Sequence, residues 1–425
     1  MKKVFILVLA LVFAFAALPA FAQEKADWSF YGSVRMWTAW EQVQSDTPPQ
    51  LSSQGATGSF FAVGTSKSKA YTIGTDQYSD GNLAWLLQSN SRIGANVKWG
   101  NIGGAFEYGS TPYLRLLYGT WNFAKDMTFE IGQDYGSDFY LVSNMCGPGG
   151  AECNGIGFGS IYPGRVPMLR LIYGGLKVSL EQTQSSAGSY SVTSAYGATP
   201  LSAITPQTVL LTPNETSTNL PAGASFVGTD FQLPRFAASY TFNYGPGQFF
   251  VGGTYNQFKE IWNYNNNKQE NTVYGWVVNA GTKLAFGPFY VNATVQYGYN
   301  PNSAGEGPVT LYPSVQLYDP SSDNAENSKY FAWQVIPGFH LTDNVTFEGG
   351  VIYQGGKVNA PGVSDVSAKQ NEWIYYVQMA YSPTKNMYIV PEVGIISYGK
   401  LRVTGFEDVT YGNMWWAGAK WQINF

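Results

Sequence analysis

Charged side chains are scarce in this chain, and the chemistry it could perform depends on where they stand. Of 425 residues, 24 are Lys or Arg, 28 are Asp or Glu, and a single one is His. Arg35, Arg92, Arg115, Arg170 and Arg235, with Glu107 and Glu130, each occupy a position flanked by apolar or small residues. Guanidinium and carboxylate groups fixed in such runs can steer or bind small ions. They do not make a catalytic set: His340 has no Ser partner in a recognisable spacing, no HExxH or His pair occurs, and Gly147 to Gly150 do not follow dinucleotide or phosphate-loop spacing. No enzyme, metal or cofactor is therefore expected. Cys146 and Cys153 lie in MCGPGGAEC, a small Gly/Pro loop that can close into a disulfide in an oxidising compartment, with two free thiols as the alternative.

The elements that must position these charges have period two. In Phe30-Tyr31-Gly32-Ser33-Val34-Arg35-Met36 the even positions are apolar or small, and the pattern returns in Arg92–Trp99, Lys177–Glu181, Phe289–Tyr297 and Ala419–Phe425. Such alternation marks amphipathic β-strands. Seven short turns are expected, around 100–101, 124–126, 174–175, 244–247, 287–288, 342–344 and 382–386, from their Gly, Pro, Asn and Asp content. Between them lie longer connections at about 41–82, 134–163, 185–230, 260–270, 300–328, 355–370 and 399–409, and one brief connection at Ser110-Thr111-Pro112. Fifteen connections of two alternating kinds predict sixteen strands with both termini on the short-turn side.

Parity then sorts the side chains. Val34, Ile93, Val97, Leu114, Leu116, Leu169, Leu171, Val291, Val295, Val393 and Ile423 share one face, and the five arginines share the other with Lys98, Lys177, Lys283, Lys420, Glu107, Glu130, Glu181, Glu348 and Glu392. Aromatic residues mark strand ends, at Trp28, Phe30, Trp99, Trp121, Phe123, Phe242, Tyr244, Phe286, Phe289, Tyr381 and Trp421. An apolar wall between aromatic girdles suits a lipid-embedded barrel, in which closure satisfies every ladder hydrogen bond. Arg or Lys on the lipid face near the midplane would cost about 2–4 kcal/mol, so the charges are assigned to the lumen. The expected fold is an all-β, up-and-down antiparallel transmembrane barrel of about sixteen strands, with short periplasmic turns and long outer loops.

Composition agrees. Charged residues make up 12% of the chain, about half the globular norm, aromatics 16%, and mean hydropathy is -0.14. A formal charge of -4 excludes a general attraction for nucleic acid. Lys2 and Lys3, the apolar run Val4 to Leu18 and Ala20-Phe21-Ala22 have the form of a cleaved export signal, 1–22, leaving 23–425 as one barrel.

The chain resembles the general porins of Gram-negative outer membranes in its signal segment, its opening strand Phe30–Arg35, the stretch Ser91-Arg92-Ile93-Gly94 and its alternating last strand ending in Phe425. The resemblance implies a homotrimer in outer-membrane lipid, with Phe425 read by the outer-membrane assembly machinery. It also implies that the third long loop, here 134–163, folds into the lumen as a constriction. That loop carries Asp134, Asp138, Glu152 and both cysteines, so an acidic loop opposite a basic wall is expected. Where such porins often carry Pro-Glu-Phe-Gly-Gly, this chain has Cys146-Gly147-Pro148-Gly149-Gly150.

The function expected is passive diffusion of ions and small polar solutes through a water-filled pore. A sugar-specific channel is the alternative, suggested by the lumen aromatics Tyr31, Trp37, Tyr113 and Tyr376, and a surface adhesin is a third reading, suggested by the polar loop 185–230.

Overall fold

The computed structural model describes residues 26–44, 82–110, 113–148, 153–183, 188–189, 224–306, 315–320, 322–359, 361, 367–403, 409–410 and 412–425. The expected export signal 1–22, Glu152, Thr111, Pro112 and most of the connections at 41–82 and 185–230 lie outside them.

Sixteen antiparallel strands follow in chain order. They are β1 (Asp27–Gln44), β2 in two pieces (Asn82–Leu87 and Arg92–Trp99), β3 (Ile102–Gly109), β4 (Leu114–Ala124), β5 (Met127–Tyr135) and β6 (Arg165–Tyr173). Next come β7 (Leu176–Glu181), β8 in two pieces (Ala224–Asp230 and Arg235–Tyr244), β9 (Gly247–Tyr264), β10 (Asn267–Phe286) and β11 (Phe289–Tyr299). The last five are β12 (Lys329–Thr342), β13 (Val345–Asn359), β14 (Ser367–Thr384), β15 (Met387–Ser397) and β16 (Asn413–Asn424). Each pairs with its neighbour in sequence, and β16 returns to β1 in register from Ser33↔Asn424 to Gln44↔Asn413, closing the barrel. Closure removes the sheet edges that hydrocarbon would not tolerate.

The seven short turns fall where the sequence places them. The connection at 260–270 does not: β9 and β10 run on to Tyr264 and from Asn267, joined by Asn265-Asn266 with φ of 51° and 64°. Asn tolerates the left-handed conformation that a two-residue hairpin turn requires. The polar run therefore makes strand, not loop. Parity holds along the wall: Val34, Ile93, Leu169, Leu171, Val295, Val393 and Ile423 are exposed on the outer face, whereas Arg115, Glu107, Glu130, Glu348 and Glu392 are buried within.

The interior is filled by chain. The described residues of the segment between β5 and β6, 136–148 and 153–164, enter the lumen, where Tyr140, Val142, Met145 and Ile161 form one apolar cluster with Trp37, Phe250, Ile336, Ile352, Tyr376 and Trp416 of the wall. Its position is set by an inward-facing stripe of apolar side chains that would otherwise line water.

Candidate pore constriction

The in-folded segment is tied to the wall by side chains that reach its backbone. Asn292 Nδ2 donates to the Val142 carbonyl at 3.0 Å, Gln296 Nε2 to that of Gly159 at 2.6 Å, and Gln334 Nε2 to that of Phe158 at 2.6 Å. At the tip the direction reverses. Glu348 accepts from the N–H and Nδ2 of Asn144, and Glu392 accepts from the N–H groups of Cys146 and Gly147, both at 2.8 Å. A loop has unsatisfied backbone groups of both kinds, and a lumen wall of amides and carboxylates supplies partners for each. Cys146 and Cys153 are disulfide-bonded, and the Tyr140 ring stacks on Phe250 with centroids 4.5 Å apart. Burial pushes the Tyr140 phenol up to about 12.

On the opposite side a cavity of about 250 Å³ remains between the segment and strands β1 to β5. Arg35, Arg92 and Arg115 line it from the wall, with Asn90 and Tyr135; Phe139, Leu141, Asn154, Ile156 and Tyr162 line it from the segment. The local fold explains this meeting. Between Leu87 and Arg92 strand β2 is interrupted opposite Val34 and Arg35, and Gln88 N–H donates to the Arg35 carbonyl while Ser91 Oγ takes the Arg35 N–H. The interruption turns Asn90 into the lumen and fixes the backbone from which Arg35 extends. Arg115 Nε lies 2.6 Å from Glu107, Arg92 Nη1 lies 3.6 Å from the same carboxylate, and Tyr31 donates to it at 3.0 Å. Arg35 Nε donates to Ser33 Oγ at 2.9 Å. Arg92 and Arg115 thus share Glu107 and Arg35 is held by Ser33, so three guanidiniums gather where the lumen is narrowed.

Arg170 and Arg235 stand apart from this cavity. Glu130 faces Arg170 directly across β5 and β6, and Arg170 Nη2 bonds both Glu130, at 2.6 Å, and Asp134. Glu181 faces Arg235 across β7 and β8. Arg235 is fully buried with Glu181, Asp138 and Glu306. Both arginines are therefore consumed by cross-strand carboxylates. Asp138 turns from the cavity to Arg235 and Asp134 bonds Arg170, while Glu152, the third acid expected there, lies outside the described residues; the described side chains that the segment presents to the three arginines are mainly apolar.

Sequence reasoning missed Phe139, Leu141, Asn154, Ile156 and Tyr162, because no periodicity extends into the loop, and Asn90, because it sits where β2 breaks its alternation. It also missed Arg165, whose guanidinium lies 5.8 Å and 5.5 Å from the ring centroids of Tyr113 and Tyr135. The four aromatics that suggested a sugar track are engaged elsewhere. Trp37 is buried with Nε1 on Glu41, Tyr376 is buried against Ser143 and Glu348, Tyr31 bonds Glu107, and Tyr113 donates to the Ser89 carbonyl. Phe425 closes the barrel seam, its carbonyl accepting from Gly32 N–H at 2.7 Å; a Cβ on residue 32 would overlap its ring.

A closed barrel of sixteen antiparallel strands, narrowed by an in-folded third loop, has the fold of the outer-membrane porins. Among solved structures, the chain is similar to the outer-membrane channel DcaP of Acinetobacter baumannii at 17% identity, over 96% of this chain and 100% of that one, with a TM-score of 0.58. It is also similar to the outer-membrane protein OmpT of Vibrio cholerae at 11% identity, over 95% and 100%, with a TM-score of 0.50. No protein-family model and no curated protein matches the chain.

Proposed function

We propose that the chain is an outer-membrane channel for passive diffusion of ions and small polar solutes, exported by a cleaved segment 1–22, assembled through its Phe425 end and trimeric in the membrane. The observation that carries this reading is the cavity in which Arg35, Arg92 and Arg115 face an in-folded loop. A narrow site lined by three guanidiniums between low-dielectric walls concentrates anions and repels cations. Guanidinium groups pair with carboxylate or phosphate oxygens, and Phe139, Leu141 and Ile156 opposite them accept an apolar body. Small organic anions fit both faces, and no bond in the solute is made or broken.

Liposome swelling separates this from saturable sugar uptake. Proteoliposomes should admit neutral solutes at rates falling smoothly with size, with small carboxylates entering faster than neutral solutes of equal size. Saturable entry of one oligosaccharide would overturn the reading.

A further inference from the structure

Arg235 is the centre of a second charged cluster, away from the arginine cavity. Its guanidinium lies 3.2 Å from Glu306, 3.4 Å from Glu181 and 3.6 Å from Asp138, and all four side chains are 0% exposed. They arrive on four separate pieces of chain: the walls β8 and β7, the in-folded segment between β5 and β6, and a second in-folded piece following β11. That second piece contains a single helical turn, α1 (Pro301–Ala304), with Pro301, Ser303 and Ala304 buried and Asn256 Nδ2 donating to the Ser303 carbonyl at 2.7 Å. Arg235 also donates to Thr254 Oγ1 and the Pro163 carbonyl. Glu181 accepts from Ser137 N–H and Ser179 Oγ, and Asn279 Nδ2 donates to Asp138.

One arginine against three carboxylates leaves two negative charges in excess when all are ionised. A wholly buried site does not hold such an excess; it takes up protons instead. Asp138 and Glu306 are the two carboxyls that do so. Burial raises both above the usual carboxylate range, and Asp138 raises Glu306 further, while Arg235 opposes the rise in each. Both converge on Nη2 of Arg235, and Asp138 Oδ1 and Glu306 Oε2 are buried with no hydrogen-bond donor among the described residues, so a proton held between them supplies the missing one.

We propose that the Asp138–Glu306 pair on Arg235 is a proton-held latch, which ties the 300–306 segment to the constriction segment while a proton is shared and lets it leave the lumen when that proton passes to bulk water. The sign follows from linkage. The docked form holds a proton that freed carboxyls, titrating near about 4, would release. Acid therefore favours docking, and rising pH favours release and a wider lumen. Only the electrical readout depends on the channel reading above.

The test uses the refolded full chain, with folding verified by heat-modifiable gel migration, from about pH 5 to about pH 9. Hydrogen exchange of residues 300–306, corrected for the intrinsic pH dependence of exchange, should show protection at the acid end that is lost at the alkaline end. Planar-bilayer conductance should rise over the same interval. In Glu306→Gln the amide can donate to the Asp138 carboxylate without a proton to lose, so both steps should vanish and the segment should stay protected; Asp138→Asn reads the same point if the first variant fails to fold. Exchange that is flat with pH in the wild type, or a wild-type step in the folded variants, overturns the latch. An exchange step without any conductance would leave the latch standing and remove the channel reading instead.

Discussion

The carboxylate of Glu392 accepts a hydrogen bond at 2.8 Å from the backbone N–H of Gly147, joining the inner wall of β15 to the tip of the loop that crosses the lumen. The same group takes the N–H of Cys146 and, at 2.7 Å, the indole Nε1 of Trp416. Two of those donors belong to the disulfide-closed tip and the third to the wall, so this one buried carboxylate tethers the tip to β15 and β16.

Glu392→Ala should leave those donors without their acceptor. Hydrogen bonds to charged groups contribute about 1.5–3 kcal/mol each, and part of that is recovered by water in a lumen. The expected outcome is a barrel that still folds, with unfolding free energy in urea lowered by about 2 kcal/mol and open-channel current noise clearly increased. Current traces as quiet as those of the wild type would show that the tip is held by other contacts.

Arg170 should behave as a structural ion-pair partner rather than as a permeation residue. Its removal leaves Glu130, 3% exposed, facing a lost partner, and breaking a buried pair costs about 3–5 kcal/mol. Arg170→Gln should therefore lower the denaturant midpoint while leaving the reversal potential in a salt gradient where it was. A reversal shift as large as that of an Arg92 variant would place Arg170 in the ion path.

The barrel was legible in the sequence because strand parity is local. Val34 beside Arg35 and Ile423 beside Gln422 alternate in a way that only a two-faced sheet explains. The site was legible in part. Arg35, Arg92 and Arg115 came from parity and do share a cavity, but Arg170 and Arg235 looked equivalent to them. What separates the two groups is pairing across strands, Glu130↔Arg170 and Glu181↔Arg235, which depends on register and so on the whole barrel. Glu306 and Asp138 meet only because two loops fold inward, and loop side chains carry no periodic signal. The Asn-rich hairpin at 265–266 misled for a related reason: above the membrane both faces of a strand can be polar, and alternation disappears.

If the protein conducts as proposed, permeating ions are selected in the cavity lined by Arg35, Arg92 and Arg115. The direct measurement is the zero-current potential of single channels across a tenfold potassium chloride gradient, for the wild type and for Arg92→Gln/Arg115→Gln. Anion preference in the wild type and a shift towards cation preference in the double variant, with Glu107 left as the uncompensated charge, is the predicted result. An identical reversal potential in both proteins, each with measurable conductance, would contradict it.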